Sequence, residues 1–129
     1  MTTKMYTDIN QSKKLVKLLP LESSDMSYDW FVIGKEYSSI PQCRKFIDDE
    51  LPCWSLAALL NVLPTTIGNF FEKNALRLRM DKGENDFNIW YDNFDYGDVA
   101  EELDVKENNP VDACVEMILK LHKQKLLLL

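Results

Sequence analysis

Leu76-Arg77-Leu78-Arg79-Met80-Asp81-Lys82-Gly83-Glu84-Asn85-Asp86-Phe87-Asn88-Ile89-Trp90-Tyr91 alternates apolar and polar residues, breaks at a polar segment containing glycine, and then alternates again. Successive side chains of a strand point to opposite faces, so a period of two marks a strand with one buried face. Asp81 to Asp86 supplies the turn. The stretch predicts an antiparallel hairpin with Leu76, Leu78, Met80, Phe87, Ile89 and Tyr91 on one face. Arg77 and Arg79 then lie beside Asn88 and Trp90 on the other. An apolar sheet face must be covered, and the remaining sequence offers helices to cover it.

The last of these helices follows Asn109-Pro110, with Asn at the N-cap, Pro in the first turn, and Asp112 where the helix dipole favours an anion. Val111, Cys114, Val115, Ile118 and Leu121 form its buried stripe, and Lys120, Lys123 and Lys125 suit its C-terminal end. A first helix is expected from Ile9 to Leu19, capped by Asp8 with Gln11 reaching back. Ile9, Ser12, Leu15, Val16 and Leu19 mark its inner face, Lys13, Lys14 and Lys17 its wet side, and Pro20 its end. In Pro52-Cys53-Trp54-Ser55-Leu56, Ser55 reads as the N-cap of a short helix. Leu56, Leu59, Leu60 and Leu63 make its stripe and Pro64 ends it.

Between these anchors the signals are weaker. Leu21 to Ser27 reads as a loop, and Trp30-Phe31-Val32-Ile33 before Gly34 as a buried strand or packed turn. Gln42 to Asp49 reads as a helical turn with Cys43 inside. Thr65 to Asn74 predicts another helical turn with Ile67, Phe70 and Phe71 inward. Val99 to Val105 fits a third strand or one helical turn, and the pattern does not choose. The expectation is a small α+β fold over residues 1–129 as a single domain, with three or four helices on a short antiparallel sheet.

Composition narrows the function classes. The 129 residues are 46% hydrophobic and 28% charged, as in an ordinary globular protein. The longest internal apolar run, Leu56 to Leu60, is far short of a membrane span, and the N-terminal residues lack a secretory apolar segment. A cytoplasmic protein with no membrane partner is expected. Three cysteines without a CxxC pair read as reduced thiols. The net charge of −6 is unevenly spread: Glu84 to Glu107 holds nine acids against Lys106, while Lys4, Lys13, Lys14 and Lys17 oppose only Asp8 near the start. The acidic excess disfavours direct nucleic-acid binding.

No motif carries catalysis. Cys53 precedes a helix N-terminus, where a thiol can be activated, but the only histidine is His122 on another helix, so a packed structural thiol is the stronger reading. Cys43, Cys53, Cys114 and His122 have no zinc spacing. Asp92, Asp95 and Asp98 lack the EF-hand pattern, and the four glycines form no phosphate loop. No cofactor or metal is expected.

The Pro52-Cys53-Trp54-Ser55-Leu56 segment, with Leu59-Leu60 and Leu63-Pro64 after it, resembles a group of small uncharacterised proteins from gut Bacteroidetes and their phages and mobile elements. Gln11-Ser12-Lys13-Lys14-Leu15 and Asp112-Ala113-Cys114 with Glu116-Met117-Ile118 fit the same group, so the resemblance touches most of the chain. It implies a compact accessory protein of the mobile gene pool and brings no catalytic residue with it. The expected function is therefore non-enzymatic binding to an unknown protein partner, with self-association through an exposed aromatic surface left open. Trp90, Tyr91, Phe94, Asp95, Tyr96 and Asp98 would present aromatics and carboxylates to a basic partner. The plainer reading, core aromatics and solubilising acids, stays open beside it. A second class of function is a small enzyme or a receptor for a nucleotide-like metabolite, using Arg77, Arg79 and stacking on Trp90.

Overall fold

The structure, a computed structural model, describes residues 4–43, 49–68, 75–93 and 96–127. The fold class is α+β: among the described residues three α-helices accompany antiparallel sheets of two, two and four strands. The sheet expected as one element is thus three: the pairing of Met26–Tyr28 with Leu51–Cys53 is remote in sequence and leaves no local signal, and that of Trp30–Phe31 with Glu36–Tyr37 is only two residues long. The chain divides into two compact units, residues 1–62 and 63–128.

In the first unit, helix α1 spans Ile9–Leu15. The capping box forms as the sequence predicts: Gln11 N–H donates to Asp8 Oδ1 at 2.8 Å, and Asp8 N–H donates to Gln11 Oε1 at 3.1 Å. The regular helix is shorter than expected, and the chain tightens into turns as far as Leu19, whose N–H donates to Leu15 O at 2.9 Å. Ser12, Leu15 and Leu19 are buried, while Lys13, Lys14 and Lys17 are exposed.

Strand β1, Met26–Tyr28, pairs with β4, Leu51–Cys53, with Ser27 opposite Pro52. These residues, expected in part as loop, are strands. Pro52 has no N–H for a ladder, and none is needed there. Ser27 instead donates to Gln42 O at 3.0 Å and accepts from Gln42 N–H at 2.8 Å. Met26, Tyr28, Leu51 and Cys53 form a core cluster against which Tyr6, Ile9 and Tyr37 pack. Cys43 was expected indoors, but it is exposed beside the Gln42 bridge; the remainder of that expected helical turn, 44–48, lies outside the described residues.

Strands β2, Trp30–Phe31, and β3, Glu36–Tyr37, make a separate two-pair hairpin. The run Trp30 to Ile33 is exposed rather than buried, because this ladder is too short to acquire a covering layer of its own. Helix α2, Leu56–Val62, starts as expected at Ser55, whose hydroxyl oxygen accepts from Ala58 N–H at 3.2 Å. Ser55 also donates its N–H to Asp25 Oδ1 at 2.9 Å and its hydroxyl to Asp25 Oδ2. Ala58 and Leu59 are buried, but Leu60, assigned to the stripe from sequence, lies on the exposed side.

The second unit is a four-stranded sheet in the order β5-β6-β7-β8. Its strands are β5 at Thr66–Ile67, β6 at Leu76–Lys82, β7 at Phe87–Asn93 and β8 at Val99–Glu107. Thr66 and Ile67 were expected to be helical; they pair instead with Arg77 and Leu76, while Phe70 and Phe71 lie outside the described residues. The β6–β7 hairpin has the expected faces, with Leu78 opposite Tyr91, Met80 opposite Ile89, and Arg79 opposite Trp90. At its turn Gly83 N–H donates to Asp86 O at 2.9 Å, and a Cβ on residue 83 would come within 2.2 Å of Asp86 Oδ1, so a larger residue there requires the Asp86 side chain to turn away.

β8 resolves the undecided stretch as a strand. Helix α3, Pro110–Lys123, packs against β7 and β8. Asn109 caps it by accepting from Asp112 N–H at 2.9 Å. Val111, Cys114, Val115, Ile118 and Leu121 are buried as expected, joined by Ala113 and Met117. Among the described residues, Ile89, Tyr91, Leu103 and Val105 are the buried apolar residues of the sheet.

Candidate functional site

The face of the sheet that carries Trp90 draws together two separate signals in the sequence. Strand register sets Arg77 opposite Asp92 and Arg79 opposite Trp90. Asp92 is 5% exposed, and a carboxylate in that setting needs charge and hydrogen-bond partners. Arg77 Nε donates to Asp92 Oδ1 at 2.8 Å, Arg79 Nε lies 4.0 Å from Oδ2, and Trp90 Nε1 donates to Oδ2 at 3.3 Å. The two arginines and the tryptophan are thus organised around a carboxylate that the chain itself supplies. Next along the face, Asn88 Oδ1 is a buried acceptor without a hydrogen-bond partner among the described residues.

Tyr91 departs from the site expected from sequence. One step along the strand from Trp90, it points to the opposite face, is fully buried, and donates its hydroxyl to Pro64 O at 2.6 Å. Burial pushes its ionisation upward. It is a core residue and contributes no recognition surface.

Beyond β7 the chain turns through Gly97, whose φ of 71° lies in the left-handed region. Asn93 organises the turn: its Oδ1 accepts from Tyr96 N–H at 3.0 Å and its carbonyl from Gly97 N–H at 2.8 Å. Asn93 N–H itself donates to Asp98 O at 2.7 Å. Tyr96 is 73% exposed at the tip and Asp98 is exposed beside it; Phe94 and Asp95 lie outside the described residues.

The strand register then jumps. Trp90 faces Asp104 while Asp92 faces Val99, so two steps along β7 match five along β8. The excess residues form an irregular bend in which Glu101 and Glu102 are exposed, as is Asp104. Carboxylates 98, 101, 102 and 104 therefore accompany Tyr96 on accessible chain. Asp92 belongs to the same acidic run in sequence but is enclosed by arginine.

The cysteines do not form a second site. Cys53 is fully buried; its Sγ lies 3.4 Å from Thr7 O and 3.5 Å from Thr7 Oγ1. Thr7 in turn contacts Ser12 Oγ at 2.8 Å and accepts from Tyr28 OH at 2.7 Å. Burial raises the Cys53 pKa, which opposes the activation its place before a helix suggested. Burial likewise pushes Cys114 up to about 12. His122 is exposed in the last turn of α3. Among the described residues, no group of three or more His, Cys, Asp or Glu side chains is placed to hold a metal ion, and no helix is long and apolar enough to cross a membrane.

Sequence reasoning missed Asp92 as the centre of the arginine cluster, although a signal for it exists. Extending the alternating strand one residue past Tyr91 gives Asp92 the parity of Trp90 and sets it opposite Arg77. In comparisons with protein-family models, curated proteins and solved structures, the chain matches none of them.

Proposed function

We propose that this chain is a non-enzymatic binding protein whose acidic surface, from Tyr96 to Asp104, receives a basic segment of a partner protein. The observation that carries the reading is the exposure of Tyr96 together with Asp98, Glu101, Glu102 and Asp104 on the turn and bent strand that follow β7. Clustered carboxylates steer a cationic partner, and a protruding aromatic ring adds contact area that is desolvated on binding. The enclosed state of Cys53 and Cys114 supports binding over thiol chemistry. The receptor reading for a nucleotide-like anion has less support, since Asp92 already occupies the position between Arg77 and Arg79 that such an anion would use. An accessory role in a phage or mobile element rests on the resemblance of the Pro52–Leu56 and Asp112–Ile118 motifs.

The test is capture of partners at low salt by the parent chain and by a variant carrying Asp98→Lys, Glu101→Lys, Glu102→Lys and Asp104→Lys. Loss of a salt-sensitive partner from the variant is the expected result. Retention of every partner by a folded variant would remove the acidic surface from consideration.

A further inference from the structure

The exposed hairpin of the first unit has a graded composition. From base to tip, Trp30 is 36% exposed, Phe31 50%, Val32 75% and Ile33 102%. The turn closes through Gly34 and Lys35, the latter with φ 52°. At the base, Trp30 and Tyr37 stand opposite one another with ring centroids 4.8 Å apart in an edge-on arrangement. Lys13 of α1 sits over the Tyr37 ring, 5.8 Å from its centroid. Lys14 is exposed on the same helix, Lys17 in the turn that follows it, and Lys35 at the turn of the hairpin.

Four consecutive exposed apolar residues are not a neutral surface feature; such a run persists where it has a use. Successive strand residues point to opposite sides: Trp30 stands with Tyr37, which packs against the core cluster, while Phe31 opens to the other side and Val32 and Ile33 protrude beyond both. A protruding apolar tip of this kind suits a soft medium that can close around it. The order of residues also fits a lipid interface. The aliphatic side chains are outermost, and the amphipathic Trp30 and Tyr37 stand one level back. Lys13 lies at that aromatic level, over the Tyr37 ring, Lys14 and Lys17 follow it on exposed chain, and Lys35 stands nearer the tip, so that cations accompany the finger where headgroup phosphates would be. Nearby acids offset part of this charge: the Glu36 carboxylate lies against Gly34, and Asp29 accepts from Gln42 Nε2 at 2.7 Å.

We propose that the Trp30–Tyr37 hairpin is a membrane-surface anchor, its Val32–Ile33 tip entering the headgroup and acyl boundary of an anionic lipid surface while the lysines meet the headgroups. The contact is interfacial and requires no spanning helix, and it departs from the sequence expectation of no membrane partner. It involves none of the residues in the acidic surface proposed above, so the two readings stand or fall separately.

The test is co-sedimentation of the full chain with vesicles of phosphatidylcholine alone and of phosphatidylcholine mixed with phosphatidylserine, at low and high salt. The parent is expected to sediment with the mixed vesicles, less so at high salt. Ile33→Asp should lower partitioning about tenfold or more while leaving the thermal melt unchanged, because the side chain is exposed. Lys14→Glu with Lys17→Glu should lower it about fivefold per lysine. The proposal is overturned if the parent fails to sediment with mixed vesicles, or if Ile33→Asp sediments as well as the parent. It is overturned equally if a photo-crosslinker at position 33 joins a protein and leaves added lipid unlabelled.

Discussion

Two of the chain's hairpins, Leu76 to Asn93 and Trp30 to Tyr37, close through glycine-containing turns and meet opposite fates. Leu76 to Asn93 alternates, buries the side that carries Ile89 and Tyr91, and receives α3 on the sheet it belongs to. Trp30 to Tyr37 opens with four apolar residues in a row, pairs through two residues on each strand, and leaves those residues exposed. Apolar content therefore does not decide burial here. Alternation directs apolar side chains to a single face, which one helix suffices to cover, whereas a continuous run faces both ways and needs covering layers on both sides.

The largest expected effect that would sharpen this contrast is alkaline. The folded pKa of Cys114 is about 12 against an ordinary value of 9.0, because burial disfavours the thiolate. A pKa raised on folding contributes stability that is fully present below the unfolded value and lost as pH climbs through the folded one. Unfolding free energy should accordingly fall by about 1.4 kcal/mol per pH unit from this thiol alone between the two values. Urea titrations at stepped pH should show the slope, and Cys114→Ala should reduce it; an identical slope in that variant would remove Cys114 as its source.

Next in size is the comparison of two isoleucines. Ile89→Ala, in the covered hairpin, should lower stability by about 3 kcal/mol through lost burial and a residual cavity. Ile33→Ala, in the exposed one, should stay within about 0.5 kcal/mol of the parent. Equal denaturation midpoints for the two variants would break the contrast. The smallest of the three concerns the polar side of the covered hairpin. Asp92→Ala leaves Arg77 without its partner, and because that guanidinium keeps some solvent, a loss of about 2 kcal/mol is expected in thermal melts. Restoration of stability by a second change, Arg77→Leu, would mark the pair as an electrostatic unit. No recovery in the double variant would assign the loss to packing instead.

Much of this architecture is legible in local patterns. Asp8 with Gln11 and Asn109 with Pro110 fix helix starts, because a cap satisfies backbone donors within a few residues of itself. Gly83 and the flanking alternation fix a hairpin for the same reason. Pairing of Met26–Tyr28 with Leu51–Cys53 is not legible: each strand has three residues, the connection is long, and Pro52 argues against a strand unless the Ser27–Gln42 bridge is known. Val99–Glu107 is ambiguous because its acids and its register jump blur the period of two. Within the candidate site, the company of Arg77, Arg79 and Trp90 follows from parity. The burial of Tyr91 follows from it too, once the hairpin face is given precedence over the aromatic cluster in sequence. The exposure of Trp30 to Ile33 has no local signature, since composition does not say what will cover a run.

The register jump in β8 gives that strand two independent tethers. One end is held through Asp104 and Val105 opposite Trp90 and Ile89, the other through Val99 opposite Asp92, and of the residues between them Leu103 is buried while Glu101 and Glu102 face out of the bulge. A bulge partly uncouples spelling from architecture. The carboxylates of Glu101 and Glu102 sit on a length of chain whose letters are read by neither tether, so that part of the outward-facing text is open to revision while the ladder on either side keeps its register.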